Sequence, residues 1–227
     1  MKSFFIGLQF LTRLKLVNQT EWDIHDFGKS VVTFPLVGLV IGAFMALIYW
    51  LLVPYIPITL LALLLVVFEF LFTGGLHADG FMDTCDGLFS GRDRERKLEI
   101  MKDSRVGSNG VVGFVFLTLL KWQLIAHVNP TILLQLLFFM PIISRYSLVL
   151  SIRLFHYARP EGMGKLLPYI HQTNPSLDNA YYLITGYIFP LALRHLPRFR
   201  NLNQFSFKFL YFKTPWWRNR RYVRFCH

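Results

Sequence analysis

An uncharged apolar run of 23 residues, Val31 to Val53, constrains this chain more than any other feature. A helix needs about 20 residues to cross the hydrocarbon core of a bilayer, which is roughly 30 Å thick. Further apolar runs lie at 56–73, 111–128 and 131–152, and a shorter one lies at 180–193. Only 16% of the residues are charged, against about a quarter in soluble domains. The sequence therefore predicts an all-α, multi-pass integral membrane helical bundle.

The N-terminal segment decides how many spans we expect. Residues 1–14 place Phe4, Phe5, Leu8 and Leu11 at helical spacing, which indicates an interfacial helix or a short span. The whole chain then has about five to six spans. If the central runs form two hairpins, segments 1–30, 74–106 and 153–179 share one side and carry 13 Lys and Arg residues. The positive-inside rule predicts that these loops face the cytoplasm from the cell inner membrane.

The net charge of +11 comes mostly from one segment. Nine of the 24 Lys and Arg residues lie between Arg194 and Arg224, and no Asp or Glu follows Asp178. Without that segment, 15 basic residues face 13 acidic ones. Because the positive charge is segregated in this way, we expect the lipid bilayer as the chain's environment and no nucleic acid as a partner.

Residues 74–91, GGLHADGFMDTCDGLFSG, place three aspartates directly after an apolar run. Asp79, Asp83 and Asp86 are spaced so that a helix would carry them on one face. Carboxylates this close favour a bound cation, and Mg²⁺ prefers carboxylate, water and phosphate oxygens. We predict that these three residues bind Mg²⁺ and act in catalysis. The alternative is an acidic solvent-facing loop, which the five glycines of the segment favour because they weaken a helix.

Further candidate site residues lie around this motif. His77 could be a metal ligand, a general base near neutral pH or a structural hydrogen-bonding group. Arginine and lysine near glycines suit a phosphate-bearing ligand, although Arg159 and Lys165 could instead anchor anionic lipid head groups. An arginine inside an apolar run needs an anionic partner. The predicted substrate-binding residues are Lys102, Asp103, Arg105, Arg145, Arg159 and Lys165.

The central motif, followed by LEIMKDSRVGSNG, resembles the signature of the cobalamin synthase family, the adenosylcobinamide-GDP ribazoletransferases. Segments 8–14, 27–42 and 158–165 are also similar to that family, and the resemblance covers about residues 4–190. It implies a Mg²⁺-dependent inner-membrane enzyme that joins adenosylcobinamide-GDP to α-ribazole or its 5′-phosphate. The products would be adenosylcobalamin or its 5′-phosphate, and GMP, in the last steps of cobalamin biosynthesis. The resemblance leaves the oligomeric state undetermined, and an oligomer is one possibility.

The C-terminal segment departs from the family. We therefore divide the chain into a membrane-embedded transferase domain, 1–193, and an atypical basic tail, 194–227, that we expect to pack poorly. Relatives continue with a GGVTGD-type motif, whereas this chain has RNLNQFSFKFLYFKTPWWRNRRYVRFCH. Trp216 and Trp217 would become Gly-Gly in a shifted reading frame, which favours a frameshift. The alternative is a genuine basic tail that binds anionic lipid.

Two other functions compete with the transferase. A small transporter subunit could use Glu69, Lys121 and Arg145 as an intramembrane pathway, but the aspartates lie beyond the apolar run. A lipid head-group phosphotransferase would share the chemistry but not the substrate. The acidic motif also resembles that of the CDP-alcohol phosphotransferases, which we take as an analogy of chemistry only.

Overall fold

The computed structural model describes residues 2–17, 24–154 and 157–158. In these residues the regular structure is helical throughout, with no strand. The helices are α1 (Lys2–Leu11), α2 (Ile24–Ser30), α3 (Phe34–Leu52), α4 (Ile58–Thr73), α5 (Leu76–Leu88), α6 (Arg94–Ile100), α7 (Ser108–His127) and α8 (Pro130–Leu154). A single 3₁₀ turn, Val31–Thr33, joins α2 to α3. The all-α prediction is confirmed.

Three helical stretches of the described chain are long and apolar enough to cross a bilayer: Asp26–Leu52, Ser108–His127 and Pro130–Ile152. A fourth candidate is the pair α4 and α5, which is bent by 93° at a short break. The boundaries of these helices match the four central runs of the sequence. The fifth predicted span, 180–193, lies outside the described residues. Apolar side chains also cover the outside of α7, which fits a lipid-facing helix in a membrane protein: Val111, Val112, Phe116, Leu120 and Leu124 are exposed.

Helix α1 is an amphipathic helix and not a span. Its ten residues extend about 15 Å at 1.5 Å per residue, roughly half the thickness of the hydrocarbon core. Ile6, Leu8 and Leu11 are buried. Phe4 and Phe5, which belong to the same predicted apolar face as Leu8 and Leu11, are only half-buried. This helix packs against α2 and α3.

The most extensive helix pairing in the described chain joins α3 to α8. It depends on two glycines of α3, Gly38 and Gly42, that let the two backbones approach closely. A Cβ on Gly38 would lie 2.5 Å from the carbonyl oxygen of Pro141, and one on Gly42 would overlap the carbonyl oxygen of Phe138. This close helix contact was not predicted from the sequence.

A corner of two glycines separates α4 from α5. Gly74 and Gly75 both adopt left-handed backbone conformations, with φ of 67° and 74°, which residues other than glycine rarely adopt. The backbone N–H of Arg13 donates a hydrogen bond of 2.8 Å to the carbonyl of Phe72, so the segment after α1 is tied to this corner. The corner directs α5 away from the axis of α4.

Candidate active site

Helix α5 carries all three aspartates of the central motif. The prediction that they lie on a helix is confirmed, and the alternative of a loop is wrong. Its glycines do not break it, because Gly80 and Gly87 lie inside the helix. At about 100° per residue, Asp79, Asp83 and Asp86 fall on one side of α5, as predicted. His77 falls on the opposite side, roughly 200° away from Asp79. The structure therefore separates the histidine from the carboxylates.

Asp86 binds the N-terminus of α7. Its Oδ2 accepts a hydrogen bond of 2.8 Å from the backbone N–H of Gly107, and its Oδ1 accepts one of 2.8 Å from that of Gly110. The first N–H groups of a helix have no partner within it, and a carboxylate there also interacts favourably with the helix dipole. The two glycines make room for the carboxylate: a Cβ on Gly110 would lie 2.5 Å from Oδ2, and one on Gly107 would overlap Oδ1. We call this arrangement the Asp86 cap.

Asp86 stays a predicted metal ligand, but both of its carboxylate oxygens accept hydrogen bonds from the N-terminus of α7, so Asp79 and Asp83 are the simpler candidates. Asp79 is exposed and Asp83 is half-buried. Within residues 2–17, 24–154 and 157–158, no group of three or more His, Cys, Asp or Glu side chains is arranged to hold a metal ion. Mg²⁺, however, often takes only one or two carboxylates and completes its shell with water and substrate phosphates. Two carboxylates one turn apart fit that smaller donor set, and Mg²⁺ binding stays a prediction.

The Asp86 cap also positions the basic segment between α6 and α7. Arg105 lies two residues before Gly107 and forms an ion pair with Asp103, with Nη2 at 2.8 Å from Oδ2. Hydrogen bonds from the Arg105 side chain and backbone lower the pKa of Asp103 to about 2. Lys102 is exposed next to this pair. Because Gly107 is hydrogen bonded to Asp86, the chain that carries these residues is attached to α5 a few residues after them.

A cavity of about 420 Å³ lies on the opposite side of α5, between α4, α5, α7 and α8. Four ionisable residues line it, namely Glu69, His77, Lys121 and Arg145. The ammonium group of Lys121 forms an ion pair with the carboxylate of Glu69. Arg145 is buried, as predicted, and within the described chain its Nε has no hydrogen-bond partner.

Helices α5 and α7 also close around a thiol. Cys85 is 6% exposed, and a Cβ on Gly113 of α7 would lie 2.7 Å from its Sγ. The contact continues the same close packing that begins at Gly107 and Gly110, and it fixes α5 along the first two turns of α7.

The structure thus divides the predicted site residues into two groups. One group is the acidic side of α5 with the loop residues Lys102, Asp103 and Arg105, and the other is the cavity with His77 and Arg145. Arg159, Lys165 and the tail 194–227 lie outside the described residues, so their predicted roles and the frameshift stay predictions. Sequence reasoning missed the Asp86 cap; its only signal was the pair of glycines, Gly107 and Gly110, at the start of a span.

Comparison with known proteins identifies relatives for most of the chain. Residues 3–221 match the family model described as cobalamin-5-phosphate synthase. The match runs past residue 190, where the sequence analysis ended the resemblance, and enters the basic tail. No solved structure matches the chain.

Curated relatives carry the name adenosylcobinamide-GDP ribazoletransferase. The protein of Clostridium acetobutylicum is 39% identical over 165 residues, which cover 72% of this chain and 66% of the relative. The protein of Clostridioides difficile is 38% identical over 193 residues, covering 85% of this chain and 72% of the relative. That of Alkaliphilus oremlandii is 42% identical over 164 residues, covering 72% and 65%. The chain spans about two thirds of the length of the curated relatives it matches first.

Proposed function

Because the chain belongs to the cobalamin-5-phosphate synthase family, we propose that it is an adenosylcobinamide-GDP ribazoletransferase. It transfers the adenosylcobinamide-phosphate group of adenosylcobinamide-GDP to α-ribazole, or to α-ribazole 5′-phosphate. The products are adenosylcobalamin, or its 5′-phosphate, and GMP. The family supports this function over the small transporter, since its relatives are named as transferases.

The observation that carries the proposal is the Asp86 cap. It ties Gly107, two residues after Arg105, to the same face of α5 that carries Asp79 and Asp83. This supports a site in which those carboxylates and the guanidinium group of Arg105 act on one substrate. The oxygens of a diphosphate are bound by a cation, which carboxylates can hold, and by N–H donors such as those of a guanidinium group.

In this proposal Asp79 and Asp83 would hold Mg²⁺ through their carboxylates. The metal would offset the negative charge that develops on the leaving GMP. Arg105 contacts the diphosphate, and it must exchange its pairing with Asp103 for the substrate. Asp86 fixes the loop and, as a helix cap, acts as a positioning residue.

The reaction takes place at the inner membrane, with α5 and the loop facing the cytoplasm. The basic residues of segments 1–30 and 74–106 support this sidedness through the positive-inside rule. Both substrates are water-soluble nucleotides or nucleosides, and the cytoplasm is where they would reach the acidic side of α5.

The test incubates membranes that contain the full chain with adenosylcobinamide-GDP, α-ribazole and Mg²⁺, and measures GMP. We expect GMP to appear only when all three are present. Asp83→Asn should abolish turnover while the protein still inserts into the membrane. Asp93→Asn is the matched control, because Asp93 is an exposed acid whose role as the N-cap of α6 asparagine can fill. Near-normal turnover of Asp83→Asn would contradict the assignment.

A further inference from the structure

We propose that the cavity between α4, α5, α7 and α8 is a binding site for a phosphate ester with an apolar body. The cavity lies opposite the acidic side of α5 and is not needed for the arrangement of Asp79 and Asp83. Its volume of about 420 Å³ falls in the range of small-molecule sites. Its walls, its charge and its hydrogen-bond donors indicate the chemistry of the occupant.

Most of the lining side chains are apolar. Val66, Val67 and Phe70 of α4 face Phe114 and Leu117 of α7 across the cavity. Phe70 and Phe114 are in contact, with ring centroids 5.8 Å apart. Such walls favour an apolar or aromatic body, because its burial removes apolar surface from water.

The charge of the cavity is unbalanced by one positive unit. Glu69 is the one carboxylate among the described lining residues, and Lys121 is already paired with it. Arg145 is left as the excess cation; an arginine side chain stays protonated in proteins. It is only 4% exposed, and its Nε has no hydrogen-bond partner in the described part of the chain. Glu69 can balance only one of the two cations, Lys121 and Arg145, and an excess buried charge is unfavourable, so an anionic group in the cavity would remove the imbalance.

The donors favour phosphate as that anion. A guanidinium group binds phosphate oxygens through two parallel hydrogen bonds. The hydroxyl groups of Thr118 and Ser144 line the same cavity and can donate further hydrogen bonds. Apolar walls and a phosphate-binding end together fit a phosphate ester attached to an apolar body.

Two sources supply this chemistry. One is an anionic phospholipid of the surrounding bilayer, with its phosphate group at Arg145. The other is a phosphorylated nucleoside with an apolar base, and this source rests on the proposed function, since α-ribazole 5′-phosphate is such a molecule. Binding of either can be measured without turnover, so failure of this proposal and failure of the proposed function are distinguishable.

The experiment measures binding to the purified full chain in neutral detergent by titration calorimetry. Each source is tested as a phosphate-bearing probe against a neutral partner that lacks the phosphate: dioctanoyl phosphatidic acid against dioctanoylglycerol, and α-ribazole 5′-phosphate against α-ribazole. We expect at least one phosphate-bearing probe to bind about 10- to 100-fold more tightly than its uncharged partner, the effect of hydrogen bonds to a charged group. The arm that shows the difference identifies the source.

Two variants test the charge count in opposite directions. Arg145→Gln should remove the preference for the phosphate-bearing probe, whereas Glu69→Gln should increase it because the cavity gains net positive charge. Arg96→Gln is the control, since Arg96 is exposed on α6 and pairs with Glu99. If Arg145→Gln does not fold, Glu69→Gln alone decides. Equal binding of charged and uncharged probes in both pairs, or an unchanged preference in the variants, would overturn the proposal.

Discussion

Removing the carboxylate of Asp86 should free the N-terminus of α7. In Asp86→Ala, the amides of Gly107 and Gly110 each lose a hydrogen bond of 2.8 Å to a charged acceptor. Hydrogen bonds to charged groups contribute about 1.5–3 kcal/mol each, but water can reach this half-buried site and replace part of them. We therefore expect a net cost of about 2–4 kcal/mol, which also includes the lost interaction with the helix dipole.

Amide hydrogen exchange of the full chain in detergent measures this cost locally. A local destabilisation of 2–4 kcal/mol corresponds to roughly 30- to 1,000-fold faster exchange at the amides of Gly107 and Gly110. Asp86→Asn should show a smaller acceleration, because one oxygen still accepts a hydrogen bond while its NH₂ group meets the other N–H. Asp79→Ala is the control, since Asp79 is exposed on the same helix.

The Asp86 cap should also be independent of metal. Exchange at the amides of Gly107 and Gly110 should be the same with Mg²⁺ and with a chelator, because the cap is formed by protein groups alone. Unchanged exchange in Asp86→Ala, or an equal acceleration in Asp79→Ala, would refute the cap. Exchange that accelerates only when Mg²⁺ is removed would instead support Asp86 as a metal ligand.

Three further predictions concern the helix packing, the corner and the loop. Gly42→Ala should lower stability by about 1–3 kcal/mol, seen as a lower Tm, because the added Cβ overlaps the backbone of Phe138; Gly80→Ala, where no atom lies within 4 Å, should leave the Tm unchanged or raise it. Gly74→Ala should lower the Tm by the equivalent of about 1–2 kcal/mol, since L-residues are strained at φ of 67°, and a Tm equal to wild type would argue against a rigid corner. Arg105→Ala should raise the KM for adenosylcobinamide-GDP more than that for α-ribazole, and an equal rise in both would argue against phosphate binding by Arg105.

The membrane helices could be predicted from the sequence because their signal is local. A run such as 31–53 has no charge and is longer than the roughly 20 residues that a span needs, so the sequence identifies it without reference to the rest of the fold. The structure moves these boundaries by only a few residues, to Asp26–Leu52 for the first span. The one-face spacing of Asp79, Asp83 and Asp86 was equally local, and α5 confirms the helix on which it depends.

The partners of the polar residues could not be predicted, because they depend on packing between distant helices. Asp86 meets amides that lie 21 and 24 residues away, and no spacing rule connects them. Glu69 and Lys121 were both recognised as charges within apolar runs, but their pairing across 52 residues appears only when α4 packs on α7. Gly74 and Gly75 were read as helix-weakening residues, whereas their left-handed conformation forms the corner.

The burial of Cys85 between α5 and α7 makes the separation of these two helices measurable as a chemical rate. Its thiol is covered at Gly113, so a maleimide can reach it only when the two helices separate. In a Cys226→Ser background, the alkylation rate of Cys85 would report how often the two helices separate in an intact membrane. The loop of Arg105 is attached to α5 through the same pair of helices. A comparison of the alkylation rate with and without turnover would therefore show whether the loop leaves α5 when product departs.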